Sequence, residues 1–153
     1  MKLLFWKKKK EFFTVSEKEA LLEAIRKAEM RTSGEVRLFV ESKCRFMNPM
    51  DRAQEIFLQL EMERTAERNA TLVYVAVDDH QAAILGDAGI HQKVGQQYWE
   101  TEVRKMMLYF KQKELSAGLC SVITDIGEAL HQHFPYSAEV DKNELPDEII
   151  FGR

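Results

Sequence analysis

Apolar residues recur every three or four positions in several segments of the chain, which is the spacing of one buried helix face. Ser16 and Glu19 have the spacing of a capping box, so the first helix is predicted to begin at Ser16, and Gly34 predicts its end. Asn48 before Pro49 predicts the start of a second helix, as an N-cap and a first-turn proline. Longer helices are predicted over about residues 98–111 and 116–133, and a short helical turn over 90–94.

Three segments between these helices have the pattern of β-strands. Val36, Leu38 and Val40 alternate with a second face that carries Glu35, Arg37 and Glu41, which predicts a strand with two unequal faces. Phe39 on that second face predicts that it too is partly covered. Residues 71–77 are almost wholly apolar and rich in valine, which is typical of a strand covered on both faces. After a turn, residues 81–85 predict a further short strand. Helices and strands that alternate in this order predict an α/β fold.

The composition predicts a single globular domain. With 153 residues, of which 45% are hydrophobic and 31% charged, the chain has the size and balance of one domain with one core. A formal net charge of -3 argues against a general nucleic-acid binder, which needs an excess of Lys and Arg. Cys44 and Cys120 have the spacing of neither a zinc site nor a redox pair, so both are predicted to be free thiols.

The two ends of the chain differ from the predicted domain at residues 15–135. Residues 1–14 form a basic extension in which Lys7–Lys10 follow a short apolar stretch, and residues 136–153 form an acidic tail. The extension lacks the order of a secretory signal, and no stretch is long enough to span a bilayer, so a cytoplasmic protein is expected. The lysine run is either a solvated terminus or a peripheral contact with an anionic membrane surface. The tail is either mobile or a strap whose end docks on the domain.

Three aspartates at the ends of the apolar strands are the candidate functional residues. Asp78 and Asp79 end one strand, and Asp87 follows the next strand between two glycines. Gly86 and Gly89 permit backbone angles that other residues avoid, so we expect Asp87 to lie near the pair. Aspartates also favour turns for purely structural reasons, which is the alternative. Crowded carboxylates repel one another, however, and a bound cation relieves that repulsion.

Other polar residues are weaker candidates. His80 lies beside the aspartate pair and could donate a proton to a leaving group, whereas the other histidines are dispersed. Glu35 begins the first strand; if the first two strands are parallel, Glu35 and Asp78 lie at opposite ends of them, which counts against a shared site. The chain contains neither a Gly-rich phosphate loop ending in Lys-Ser or Lys-Thr nor a Gly-x-Ser-x-Gly elbow, so enzyme classes built on those motifs lose support.

The order of four short motifs resembles the TPM domain family. The motifs are Ser33-Gly34-Glu35-Val36 at a strand start, the apolar strand that ends in Asp78-Asp79, Ile84-x-Gly86-Asp87-x-Gly89, and Gly118-Leu119 at a helix start. The resemblance covers roughly residues 16–134 and is to a small bacterial member. It implies a three-layer α/β/α sandwich with a Rossmann-like central sheet flanked by helices. It also implies calcium-type metal binding and a proposed phosphatase activity.

Two functions of different classes are compatible with these observations. With the resemblance added, a cation at Asp78, Asp79 and Asp87 is favoured over simple turn-forming roles. Oxygen ligands without clustered His or Cys select calcium or magnesium, and calcium is preferred because it accepts irregular geometry. The first hypothesis is a non-enzymatic calcium- or magnesium-binding accessory to an unidentified protein partner or membrane complex, acting as a monomer and without nucleic acid. The alternative is a metal-assisted acid phosphatase.

Overall fold

The computed structural model describes residues 11–136 and 149–152. In chain order its elements are α1 (Val15–Met30), β1 (Glu35–Glu41), α2 (Pro49–Gln59), β2 (Ala70–Ala76), β3 (Gln81–Gly86), α3 (Ala88–Val94), α4 (Gln96–Lys111), α5 (Leu115–His133) and β4 (Ile149–Phe151). The strands form one sheet in the order β3-β2-β1-β4, and helices pack on both of its faces. The predicted α/β/α sandwich is therefore confirmed.

The sheet separates two hydrophobic cores. One core includes Leu38 of β1 and residues of α1, α4 and α5, and the other includes Tyr74 of β2 and residues of α2. Every residue of β1 and of β2 is buried, which confirms the prediction that the second strand is covered on both faces. The alternating pattern of β1 understates its burial, because on the face that carries its charged residues Phe39 packs in the core with residues of α2 and Arg52 of α2 binds Glu41. Those buried charged residues are Glu35, Arg37 and Glu41.

The direction of the strands defines two edges of the sheet. β1 pairs with β2 in parallel, from Glu35 opposite Ala70 to Glu41 opposite Ala76, and β4 is also parallel to β1. We call the edge beyond Glu41 and Ala76 the carboxyl edge, and the edge before Glu35 and Ala70 the amino edge. β3 is antiparallel to β2, with Ala76 opposite Gln81, so it begins at the carboxyl edge and ends at the amino edge.

The N-cap of the first helix lies two residues before the one that the sequence pattern predicts. Thr14, not Ser16, is the N-cap: its side chain accepts from the backbone N–H of Glu17 at 3.1 Å, and the Glu17 carboxylate accepts from the Thr14 N–H at 2.8 Å. Both residue pairs have capping-box spacing, but Phe13 is buried in the core and fixes the chain immediately before Thr14. The second helix begins as predicted, with Asn48 as N-cap and a proline in its first turn.

The end of the acidic tail docks on the domain, which confirms the second of the two alternatives for it. The residues of β4 pair with Leu38–Val40 of β1, and the Gly152 N–H donates to the Val40 carbonyl at 2.7 Å. Phe12 stacks on Phe151, so the chain entering α1 packs against this strand. The lysine run 7–10 and the tail residues 137–148 lie outside the described residues. Every helix that the structure describes is too short or too polar to cross a membrane.

Candidate functional site

Asp78 and Asp79 lie in the turn that joins β2 to β3, at the carboxyl edge. Both residues are exposed. The turn is fastened to the segment that follows β1: the Val77 N–H donates to the Glu41 carbonyl at 2.8 Å, and the Asp78 N–H donates to the Ser42 carbonyl at 2.7 Å. The position of the two carboxylates is therefore set by the backbone of the neighbouring strand as well as by their own hairpin.

Side-chain contacts fix the turn further. The Asp79 Oδ2 accepts a hydrogen bond from the backbone N–H of Cys44 at 2.8 Å. His80 has a left-handed backbone with φ of 52°, and its ring stacks on Phe110 near the end of α4 with 4.6 Å between centroids. The imidazole beside the aspartate pair thus has a packing contact with α4, and its role as a proton donor stays a prediction.

Asp87 lies at the opposite end of β3, so the expectation that it joins the aspartate pair is wrong. An antiparallel strand of six residues separates Asp87 from the turn, which corresponds to roughly 20 Å at ~3.4 Å per residue. A turn of a few residues forces the strands to run antiparallel, whereas the expectation considered only the backbone freedom of the two flanking glycines.

The carboxylate of Asp87 is occupied by other groups. Arg68 donates to it through Nε at 2.6 Å and through Nη2 at 2.8 Å, and the Ala88 N–H donates to Oδ1 at 2.8 Å, which caps α3. Hydrogen bonding to Asp87 raises the pKa of Arg68. Asp87 is buried whereas Arg68 is exposed. These contacts give Asp87 a structural role at the amino edge.

Of the predicted site residues, the structure brings together Asp78 and Asp79 alone. Glu35 lies at the amino edge and Asp78 at the carboxyl edge, at the two ends of the sheet, as expected for parallel strands. Within residues 11–136 and 149–152, no three His, Cys, Asp or Glu side chains are grouped so that they could hold a metal ion. The exposed pair fits a cation that keeps much of its water, and it does not fit an enclosed site with three aspartates.

A buried polar cluster beneath the carboxyl edge was missed by the sequence analysis. The buried Glu41 carboxylate accepts from Arg52 Nε at 2.9 Å and Nη2 at 3.0 Å, and also from the Tyr74 hydroxyl. The hydrogen bond to Glu41 raises the pKa of Arg52, and burial, followed by the same carboxylate, raises the pKa of Tyr74. The available signal was a carboxylate that directly follows the apolar run Leu38-Phe39-Val40. The cluster joins β1, β2 and α2 below the aspartate turn.

A second missed cluster joins α4 to α5. Glu102 is buried, and Lys105 lies 3.3 Å from its Oε1 and also contacts Asp125 on α5. Burial, followed by a hydrogen bond that the protonated Glu102 carboxyl donates to Asp125, raises the pKa of Glu102 to about 7. Glu102 and Asp125 line an open cleft of about 610 Å³ together with Tyr98. Its sequence signal is that Glu102 follows Trp99 by three positions, which places a carboxyl on the apolar face of the helix.

The cysteines are free thiols, as predicted from their spacing. Cys44 is buried, and its thiol donates to the Met47 carbonyl at 3.2 Å in the loop between β1 and α2. Cys120 is half-buried on α5, where burial raises the pKa of its thiol. A raised pKa lowers the fraction of the nucleophilic thiolate, so Cys120 is a packing residue.

Comparisons with known proteins agree with the fold. A model of the TPM domain matches residues 7–129. The structure is similar to the NMR structure of the BA42 protein from the psychrophilic bacterium Bizionia argentinensis, with a TM-score of 0.85 and 39% identity over 95% of this chain and 99% of that chain. It is also similar to the N-terminal domain of the cg2496 protein from Corynebacterium glutamicum, with a TM-score of 0.62 and 9% identity over 91% of this chain and 80% of that chain, which shows the fold alone. No curated protein matches the chain.

Proposed function

We propose a function from one premise, that this chain belongs to the TPM domain family. The proposed function is non-enzymatic binding of a divalent cation, calcium before magnesium, by a domain that serves as an accessory to a protein or membrane complex. We assign the cation to Asp78 and Asp79. The observation that carries the proposal is that these two adjacent carboxylates are both exposed on a turn fastened by hydrogen bonds to Ser42 and Cys44.

The chemistry of the pair supports a hard cation. Two neighbouring carboxylates repel each other, and a divalent cation turns that repulsion into attraction. Carboxylate oxygens with water as the remaining ligands suit calcium, which accepts six to eight oxygens in flexible geometry, better than magnesium, which demands a near-ideal octahedron. Because the turn is already fastened by hydrogen bonds, it loses little conformational freedom when the cation binds.

The exposure of the pair predicts weak binding. Calcium affinity depends on the number of charged ligands and on the rigidity of the site, and two solvent-exposed carboxylates supply few of either. We expect a dissociation constant on the order of 10⁻⁴ to 10⁻³ M, which is the range of weak extracellular calcium modules. A cation held in this way serves as a link or a charge switch and not as a buried structural centre.

The phosphatase alternative has weaker support. A dedicated phosphatase combines a positioned nucleophile or base with cationic groups that receive the phosphate. The hairpin itself, from residue 69 to residue 92, contains no Lys or Arg, and Arg68 before it is bound to Asp87 at the amino edge. A phosphate at the aspartate pair would therefore depend on the bound cation and on the exposed Lys43 and Arg45, which lie in the loop whose Cys44 N–H binds Asp79.

The test is an NMR titration of metal-free protein with calcium and, separately, with magnesium. We expect the amides of residues 77–80 and 42–44 to shift first and to saturate together. The variant Asp78→Asn, Asp79→Asn should lose these shifts. The control variant Glu19→Gln, Glu100→Gln removes the same charge from exposed helix positions and should keep them. If the aspartate variant binds calcium like the parent, the assignment of the site is wrong.

A further inference from the structure

The loop between β1 and α2 exposes a large aromatic side chain. Phe46 is 99% exposed, and Met47 beside it is 37% exposed. Phe46 also has a left-handed backbone with φ of 66°, which is uncommon for a bulky residue. The loop around them is anchored, because the thiol and the backbone N–H of Cys44 both donate hydrogen bonds within this region. The fold thus presents an aromatic ring to solvent from a fastened loop.

The loop that carries this ring also carries cations. Lys43 and Arg45 precede Phe46 and are exposed, and no carboxylate occurs in the sequence between Glu41 and Asp51. The Glu41 carboxylate is buried and bound to Arg52, so it does not offset the charge of the loop. The loop therefore combines exposed apolar area with net positive charge.

Further cations lie at the same edge of the molecule. The stack of His80 on Phe110 joins the aspartate turn to the end of α4, which leads directly to the exposed Lys111 and Lys113. The chain from the extension enters the fold at Phe12, which packs on Phe151 at the carboxyl end of β4. The four lysines 7–10, with the apolar residues 3–6 before them, precede that entry point in the sequence.

From these observations we propose that this surface, formed by Lys43, Arg45, Phe46, Met47, Lys111 and Lys113, docks on an anionic lipid bilayer. Phe46 and Met47 enter the interface between headgroups and acyl chains, and the surrounding lysines and arginine face the negative headgroups. The exposed ring projects from a loop and needs no shape-matched pocket, which suits a fluid interface.

The carboxylates at the same edge oppose this attraction. Asp78 and Asp79 are exposed there and repel anionic headgroups, so the loop must supply both apolar contact and charge. Chelating divalent cations with EDTA keeps the test of the docking surface separate from the test of the cation site. Bilayer binding measured in EDTA depends on the loop and the lysines alone.

The experiment is sedimentation of the full chain with vesicles of phosphatidylcholine alone or mixed with phosphatidylserine, in EDTA. We expect binding to the mixed vesicles that weakens as salt is raised, because salt screens the charge attraction. Phe46→Ser should weaken binding about tenfold, since a partly buried ring contributes of this order. Lys43→Glu with Arg45→Glu should weaken it by more than about twentyfold. Phe46→Trp should retain binding, because tryptophan favours membrane interfaces.

Matched controls come from the opposite side of the molecule. Leu58→Ser removes an exposed apolar residue near the end of α2, and Lys27→Glu with Lys93→Glu reverses two exposed cations toward the amino edge. Both control variants should bind the mixed vesicles like the parent. Absence of binding to the mixed vesicles would overturn the proposal. Binding that the charge reversal abolishes but Phe46→Ser leaves unchanged would also overturn it, and would indicate a general attraction to anionic polymers such as acidic proteins.

Discussion

The carboxyl of Glu102 makes the stability of this protein depend on pH in an unusual direction. Glu102 lies at the interface of α4 and α5, facing Asp125 on the other helix and Lys105 on its own, with the Tyr98 hydroxyl donating to the Asp125 carbonyl at 3.1 Å. Burial and the neighbouring Asp125 raise its pKa from 4.5 to about 7, against the opposing effect of Lys105. The informative perturbation is Glu102→Gln, which keeps the shape and the hydrogen bonding of the side chain and removes its titration.

The magnitude follows from the pKa values. Below about pH 4.5 the carboxyl is protonated in both the folded and the unfolded protein, so titration of Glu102 changes nothing. Between about pH 4.5 and about pH 7 the folded protein keeps a proton that the unfolded chain has lost, and stability falls as pH rises. At about 1.4 kcal/mol per pH unit, the full loss approaches about 3 kcal/mol above pH 7. Relative to the parent, Glu102→Gln should therefore gain about this much between pH 4.5 and pH 8.

Urea denaturation of the two proteins across this pH range measures the difference directly. The absolute curves contain the titration of every other group, but their difference isolates Glu102. The control is Glu100→Gln, which removes an exposed carboxyl two positions away on the same helix and leaves the buried one in place. If the difference between Glu102→Gln and the parent is constant with pH, the Glu102 carboxyl ionises in the folded protein at an ordinary pH and the argument from burial fails.

Three further predictions concern the aspartates. Asp87→Ala should lower the free energy of unfolding by about 1–2 kcal/mol in chemical denaturation, because it removes the cap of α3. The lost ion pair adds little to this, because Arg68 is exposed and water solvates it. An unchanged stability would show that the cap and the ion pair contribute nothing. Calcium at a hundredfold excess over its dissociation constant should stabilise the protein by roughly 2.7 kcal/mol, seen as a rise in Tm that Asp78→Asn, Asp79→Asn lacks. Purified protein should not hydrolyse a generic aryl phosphate with calcium or magnesium; robust turnover that disappears in Asp78→Asn, Asp79→Asn would favour the phosphatase instead.

The helices and the central strand were predictable because their apolar periodicity is local. β2 lies within one residue of its predicted bounds and α2 begins where predicted, since an uninterrupted apolar run and an Asn-Pro cap each have one simple interpretation. The start of α1 was less certain, because Thr14 and Ser16 both begin a capping-box pattern and the choice depends on the burial of Phe13 in the tertiary core.

The candidate site was harder to predict because its contacts join residues that are distant in sequence. Arg68 with Asp87, Arg52 with Glu41, and Glu102 with Asp125 are pairs that no short motif indicates. The position of Asp87, by contrast, could have been predicted, because the short turn before β3 requires that strand to run antiparallel to β2. The distance from Asp79 to Asp87 follows from that turn together with the length of the strand.

The short β4 strand affects how readily the protein aggregates when it opens locally. It joins Ile149 to Leu38 across most of the chain, so its pairing closes a very long loop and is expected to form late in folding. Its described pairing is short, three residues and one further hydrogen bond from Gly152, and short pairings open locally at low cost. Each opening uncovers the outer edge of β1, a buried strand with unpaired backbone groups that can template the addition of another chain. The C-terminal strand therefore acts as a cover against aggregation, and its detachment is the first step to watch when the purified protein is stored or heated.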